Sequence, residues 1–124
     1  MLEQAQTLDL SQLNVEVNVD NAYTKGSVPI SLALSASVRV DATEPGLSRA
    51  IERFLGQERE QIRLVAEQTL EGNARTLIAT LTVEELEEFR DKAVESLESE
   101  NEGDFVRLGL SLETLQIHSI TALS

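Results

Sequence analysis

Residues 13–40 read LNVEVNVDNAYTKGSVPISLALSASVRV, and the period of this stretch decides the fold. Leu13, Val15, Val17 and Val19 alternate with Asn14, Glu16, Asn18 and Asp20, the period-two signature of a strand with one buried face. The first strand is expected over Leu8 to Val19. A second run is cleaner. Val28, Ile30, Leu32, Leu34, Ala36, Val38 and Val40 face one way, and Ser31, Ser35, Ser37, Arg39 and Asp41 face the other. Pro29 lacks a ladder donor, which places it on an edge or among the strand's first residues. Asn21 to Gly26 is short and rich in turn formers, so the two strands should pair as an antiparallel hairpin.

Beyond Asp41 the period changes. Thr43 is a candidate N-cap, with Pro45 tolerated in the first turn of a short helix through Leu47, Ala50, Ile51 and Phe54 that stops near Gly56. A longer helix carries Ile62, Val65, Ala66, Thr69, Leu70, Ala74, Leu77, Ile78 and Leu81 on one stripe. Gly72 interrupts it at a cost of about 1 kcal/mol against Ala, which suggests a closely packed neighbour. Thr82 followed by Glu85 is a capping-box pattern, and Val83, Leu86, Phe89, Ala93, Val94 and Leu97 carry a third helix. That helix should break around Ser99 to Gly103, resume through Phe105, Val106 and Leu108, and end at Gly109.

A closing strand follows. Leu110, Leu112, Leu115, Ile117 and Ile120 do not keep strict alternation, so a bulge near Thr114 or burial on both faces is expected. Two strands, three helices and a closing strand make an α+β fold, a small antiparallel-rich sheet with helices packed on one face.

Composition narrows the function. Hydrophobic residues are 41% of the 124 but aromatics only 3%, so the core must be aliphatic. The net charge of −12 repels phosphate backbones, which argues against nucleic acid as a partner. Without cysteine, thiol catalysis and thiolate metal sites are excluded within the chain. No apolar run reaches the roughly 18 residues that span a bilayer, so the chain itself is expected to be soluble. His118 is the single histidine, with no G-x-S-x-G elbow to serve and no second imidazole to share a metal. Glu98 to Asp104 is oxygen-rich but lacks the ligand order of a calcium loop. No Gly-rich phosphate loop is present either. Catalytic, cofactor and metal residues are therefore not expected.

The second helix and its exit read Glu67-Gln68-Thr69-Leu70-Glu71-Gly72-Asn73-Ala74-Arg75-Thr76-Leu77-Ile78-Ala79-Thr80-Leu81-Thr82-Val83-Glu84-Glu85-Leu86. This phrase resembles the flotillin branch of the SPFH family (stomatin, prohibitin and flotillin; also prohibitin homology or band seven), typically E-T-L-E-G-x-x-R-x-I-I-x-x-L-T-V-E-E, departing mainly at Gln68 and Leu77. Gly26-Ser27-Val28-Pro29-Ile30, Glu52-Arg53-Phe54-Leu55-Gly56 and Gly109-Leu110-Ser111-Leu112 resemble further family phrases. The resemblance covers about residues 24 to 121.

It implies a single SPFH domain over residues 1–124, or most of one, without the family's membrane anchor and coiled-coil region. It also implies a non-enzymatic scaffold that forms homo-oligomers in its full-length context. Such a scaffold organises membrane proteins at the cytoplasmic face of a membrane, reached through segments outside this chain. The alternative is a regulatory binding domain controlling a membrane-bound protease, as in the prohibitin-like branch.

Candidate subunit or partner contacts follow from charge. Residues 83–104 hold ten acidic side chains against Arg90 and Lys92, a local net charge of −8. Either they form a solvated helix face or they dock a basic patch. Glu84, Glu85, Glu88 and Glu95 are the candidates on this run. Arg75 is the candidate on the basic side, since its rigid fork could clamp a neighbour's carboxylate. Arg59 and Arg63 are further possible basic partners.

Overall fold

The computed structural model of the protein describes residue 8 and residues 10–122. Two strands, β1 (Leu13–Tyr23) and β2 (Pro29–Val40), are followed by α1 (Gly46–Phe54), α2 (Arg59–Ile78), α3 (Val83–Glu88), α4 (Arg90–Leu108) and β3 (Leu110–Ala122). The sheet order is β1-β2-β3, antiparallel throughout. The α+β class expected from the two periods is the one found.

The hairpin forms with Leu13 opposite Val38 and Val17 opposite Leu34. Its first strand starts later than the alternation suggested, at Leu13, while Asp9 lies outside the described residues. It also runs further, to Tyr23. Asp20 and Asn21 together oppose Ser31, and Asn21 takes a φ of 52°, which Asn tolerates better than most residues. This bulge carries the strand through the segment that reads as turn. The turn itself lies at Thr24 to Ser27, where the Thr24 N–H donates to the Val28 carbonyl. Pro29 is the first residue of β2, where a missing donor costs least, although β2 is the central strand.

The sheet buries one face under the helices. Val15, Val17 and Val19 of β1 and Ile30, Leu32, Leu34 and Val38 of β2 meet two helical rows, each spaced by four residues. One is Ile62, Ala66, Leu70, Ala74 and Ile78 of α2, over β1; the other is Ala93, Leu97, Asn101 and Phe105 of α4, over β3.

β3 explains its own irregular pattern. Thr114 pairs with Ser37 but Leu112 with Val38, leaving Glu113 as an extra residue close to the expected bulge. A second extra residue is His118, between Ser119 opposite Ala33 and Ile117 opposite Leu34. Each bulge reverses the parity once. The result keeps Leu110, Leu115 and Ile117 buried and brings Leu112 and Ile120 against the same core.

Three local expectations are corrected. Thr43 does not cap α1: Pro45 holds the cap position, and both the Thr43 N–H (2.9 Å) and its hydroxyl (2.7 Å) donate to Asp41 Oδ1. That Asx-type turn ties Thr43 back to Asp41, no side chain caps the helix, and the two hydrogen bonds hold the Asp41 carboxyl below its ordinary range. The third helix is divided at Phe89 (φ −108°, ψ 35°), giving α3 and α4. No break occurs at Ser99 to Gly103. There Asn101 is fully buried, donates to the Leu97 carbonyl at 2.7 Å and accepts from Asn73 at 2.8 Å, so a polar residue sits on the core row without unsatisfied atoms.

Candidate functional site

The acidic run becomes a surface because its apolar residues turn inward. Leu86, Ala93 and Leu97 are buried, and the intervening positions Glu84, Glu87, Glu88, Asp91 and Glu95 are exposed around the α3–α4 junction. Glu85 differs. Its side chain accepts from the Thr82 N–H while the Thr82 hydroxyl accepts from the Glu85 N–H, so the expected capping box is present. Of the four candidate glutamates, Glu84, Glu88 and Glu95 are thus exposed, with no ion pair among the described residues, and Glu85 is committed to the helix start.

An apolar groove opens between the end of α2 and the start of α4. Leu77, Leu81, Phe89, Lys92, Ala93 and Ser96 line a shallow cavity of about 230 Å³. Phe89 is 44% exposed, and the Lys92 ammonium lies 5.6 Å from its ring centroid, within cation–π range. The backbone kink at Phe89 turns this ring outward from the core row, which is the physical consequence of dividing the helix there.

Arg75 has an internal partner. Its guanidinium donates to the Asp20 carbonyl at 2.9 Å, at the β1 bulge, and lies 3.9 Å from Glu71. Arg59 likewise donates to the Gln12 carbonyl and Ser11, and Arg90 to the Ile117 carbonyl. Three helix arginines therefore occupy carbonyls in or immediately before the two outer strands, where unpaired backbone would invite another chain. Arg63 is held between Glu60 and Glu67, which raises its pKa and lowers that of Glu60. None of the arginines singled out from sequence is a free cation.

The converging cations lie elsewhere. Arg49 and Arg53 of α1 and Arg107 at the end of α4, with Glu52, line a cavity of about 300 Å³. Arg49 reaches across to the Val106 carbonyl at 3.2 Å, and Arg107 pairs with Asp104 at 2.9 Å while remaining 78% exposed. The Arg53 guanidinium makes no ion pair among the described residues. Sequence reading missed this cluster because α1 and the end of α4 meet only in the fold.

Gly72 also departs from expectation. A Cβ built there would meet nothing within 4 Å, so no close neighbour explains it. Instead it borders an open depression between α2 and α4, lined also by Asn73, Asp104 and Arg107. Gly72→Ala is accordingly expected to stabilise the protein by about 0.5–1 kcal/mol through helix propensity, seen as a rise of a few degrees in Tm. A fall in Tm would mean that the depression is occupied in solution.

Among the described residues, no helix is long and apolar enough to cross a membrane. In comparison with known proteins, the model of the family described as SPFH domain / Band 7 matches residues 1–122. Flotillin-1 of Homo sapiens and of Mus musculus are each 32% identical to this chain over 120 residues, 96% of the chain. Flotillin-1 of Carassius auratus is 30% identical over the same length. The chain spans 28% of the length of each of these relatives.

Proposed function

The chain belongs to the SPFH / Band 7 family, and from that premise we propose that it is the folded interaction module of a flotillin-like, membrane-associated scaffold. The observation that carries this reading is the match of nearly the whole chain, over a fold whose surfaces offer charge and apolar grooves for packing, to proteins named Flotillin-1. The reading assigns it no catalytic role: its work is to oligomerise and to organise partner proteins at the cytoplasmic face of a membrane. Residues 1–124 would supply one domain, or most of one, and the membrane anchor and coiled coil would belong to the rest of a longer protein. Glu84, Glu88 and Glu95 are proposed contacts of this module, and Arg75 a residue that seats the helical layer on the sheet edge.

The physics of valency sets the test. A chain carrying −12 repels anionic surfaces and its own copies, so residues 1–124 should bind vesicles poorly and associate weakly. Tethering through a coiled coil holds domains at high effective concentration and turns weak contacts into intramolecular ones. In vesicle co-sedimentation at moderate salt, residues 1–124 are expected to stay in the supernatant. A protein extended to the length of the relatives should pellet and scatter light as a large assembly. Strong pelleting of residues 1–124, or a monomeric and unattached extended protein, would remove the basis for the scaffold reading.

A further inference from the structure

The two edges of the sheet are not equally closed. β3 is interrupted by bulges at Glu113 and His118, and Arg90 takes its Ile117 carbonyl between them. Bulges and covered carbonyls keep a further strand off such an edge. β1 is different. From Leu13 to Val19 it pairs with β2 residue for residue, without bulge, proline or lysine, and among the described residues no strand lies on its other side. The two ends of this stretch are held by α2, where Arg59 donates to the Gln12 carbonyl and Arg75 to the Asp20 carbonyl, while Arg63 between them is engaged by Glu60 and Glu67 within the helix. In an antiparallel edge strand alternate residues direct both backbone groups away from the neighbour. Gln12 and Asp20 stand an even number of residues apart and both offer a carbonyl to α2, which makes Asn14, Glu16 and Asn18 the residues between them whose N–H and C=O face outward. We propose that this open window of β1, about 20 Å long at 3.4 Å per residue, receives an extended segment of a partner protein as a further strand, with a Lys or Arg set opposite Glu16. The inference rests on the scaffold reading for its setting and names the chemistry of a partner that such a scaffold would hold.

Main-chain hydrogen bonds would hold such a strand, and Glu16 selects it. On the open face of the sheet Asn14 accepts from Ser37 and Asp20 from Ser31, but Ser35, which lies opposite Glu16, is hydrogen-bonded to His118 at 2.7 Å. The exposed Glu16 carboxylate therefore has no hydrogen bond or ion pair among the described residues, and β1 itself carries no cation. Arg39 on β2 does not supply one, since it pairs with Glu113. A basic side chain on an added strand completes Glu16, because opposite charges on facing strands are favourable and like charges are not. The same rule disfavours a second copy. Two β1 strands paired about Glu16 would set carboxylate against carboxylate, on chains that each carry −12.

Peptide titrations followed by amide NMR spectra test this directly. The probes are the end-blocked peptides Thr-Val-Lys-Val-Thr and Thr-Val-Glu-Val-Thr, added at low salt to about 5 mM, the range in which a short main-chain contact binds. The lysine peptide is expected to move the amides of Asn14, Glu16 and Asn18 and to slow their exchange with solvent, with Val15 and Val17 little changed. N-methylation of its lysine amide, which the pairing requires, should abolish the effect. The glutamate peptide should bind about three- to tenfold more weakly, and Glu16→Lys should reverse the order. Should thermal melts show Glu16→Lys unfolded, Glu16→Gln takes its place and should make the two peptides equal. An unmoved β1, shifts centred on the groove between α2 and α4, or an order that the Glu16 variant leaves unchanged each overturns the proposal. Protection of the three amides that appears without peptide and grows with protein concentration makes a second copy the occupant and overturns it too. A peptide arm that fails while the extended protein still assembles on vesicles removes this edge and leaves the scaffold reading standing. A peptide that binds while the extended protein stays monomeric and unattached does the opposite.

Discussion

Leu70→Asp is expected to abolish cooperative folding. Leu70 is fully buried at the middle of the α2 row, between Ala66 and Ala74 and over β1. Truncating a buried Leu to Ala costs about 2–5 kcal/mol through lost burial and the cavity left behind. Aspartate adds the desolvation of a carboxylate on a row whose other members, Ile62, Ala66, Ala74 and Ile78, offer no hydrogen-bonding side chain. The sum is comparable to the entire stability of an ordinary domain, about 5–15 kcal/mol. Ile78→Asp should behave the same way. Glu88→Ala, on the exposed surface, should change the stability of the isolated chain by no more than about 0.5 kcal/mol. Far-UV circular dichroism melts of the three variants decide the matter, and equal tolerance of all three would mean that the buried face of α2 is assigned wrongly.

The rows that make this expectation sharp were legible in the sequence because burial there follows a single period. The hairpin was legible for the same reason, and so was the irregularity of β3: five apolar residues out of step require either bulges or two buried faces, and bulges at Glu113 and His118 resolve it. Legibility failed where a polar group is satisfied by a distant element. Asn101, flanked by Ser, Glu and Gly, reads as the centre of a helix break, yet it lies four residues from both Leu97 and Phe105 and completes their row. Its amide is acceptable there because Asn73, 28 residues earlier, donates to its oxygen and to Asp104. Spacing held the clue, and residue type concealed it. At Thr43 the reverse occurred: residue type favoured a cap, but its side chain turns back to Asp41 and the cap position falls to Pro45.

The candidate surface divides along the same line. Its acidic half is contiguous, so counting charges over residues 83–104 was enough to find it. Its basic half is assembled from residues more than fifty positions apart, and no local pattern joins Arg49 to the end of α4. Arg75 stood out in sequence for a family phrase, and the fold gives it a carbonyl at the β1 bulge. An arginine's sequence context does not tell whether its donors are already used; only the three-dimensional count of acceptors does.

Gly109→Ala is expected to destabilise the protein by several kcal/mol, although it adds one methyl group. Gly109 closes α4 with a φ of 78°, a left-handed conformation that costs an L-residue about 1–2 kcal/mol. The larger effect is steric. An added Cβ would lie 2.4 Å from the Ala50 nitrogen and 2.6 Å from the Gly46 carbonyl oxygen, both backbone atoms of α1 that cannot rotate away. Relief requires α1 to move off the end of α4, withdrawing the buried Ala50 and Phe54 and straining the Asp41 N–H to Gly109 carbonyl bond of 2.8 Å. Loss of core packing together with backbone strain puts the change among the severe class, about 4 kcal/mol or more. Gly103→Ala supplies the control within the same helix. There a Cβ meets nothing within 4 Å, so helix propensity should make the substitution stabilising by about 0.5–1 kcal/mol. Urea denaturation of the two variants should therefore move the midpoint in opposite directions. If both glycines accept alanine alike, α1 does not seat on the end of α4, and the convergence of Arg49, Arg53 and Arg107 loses its structural support as well.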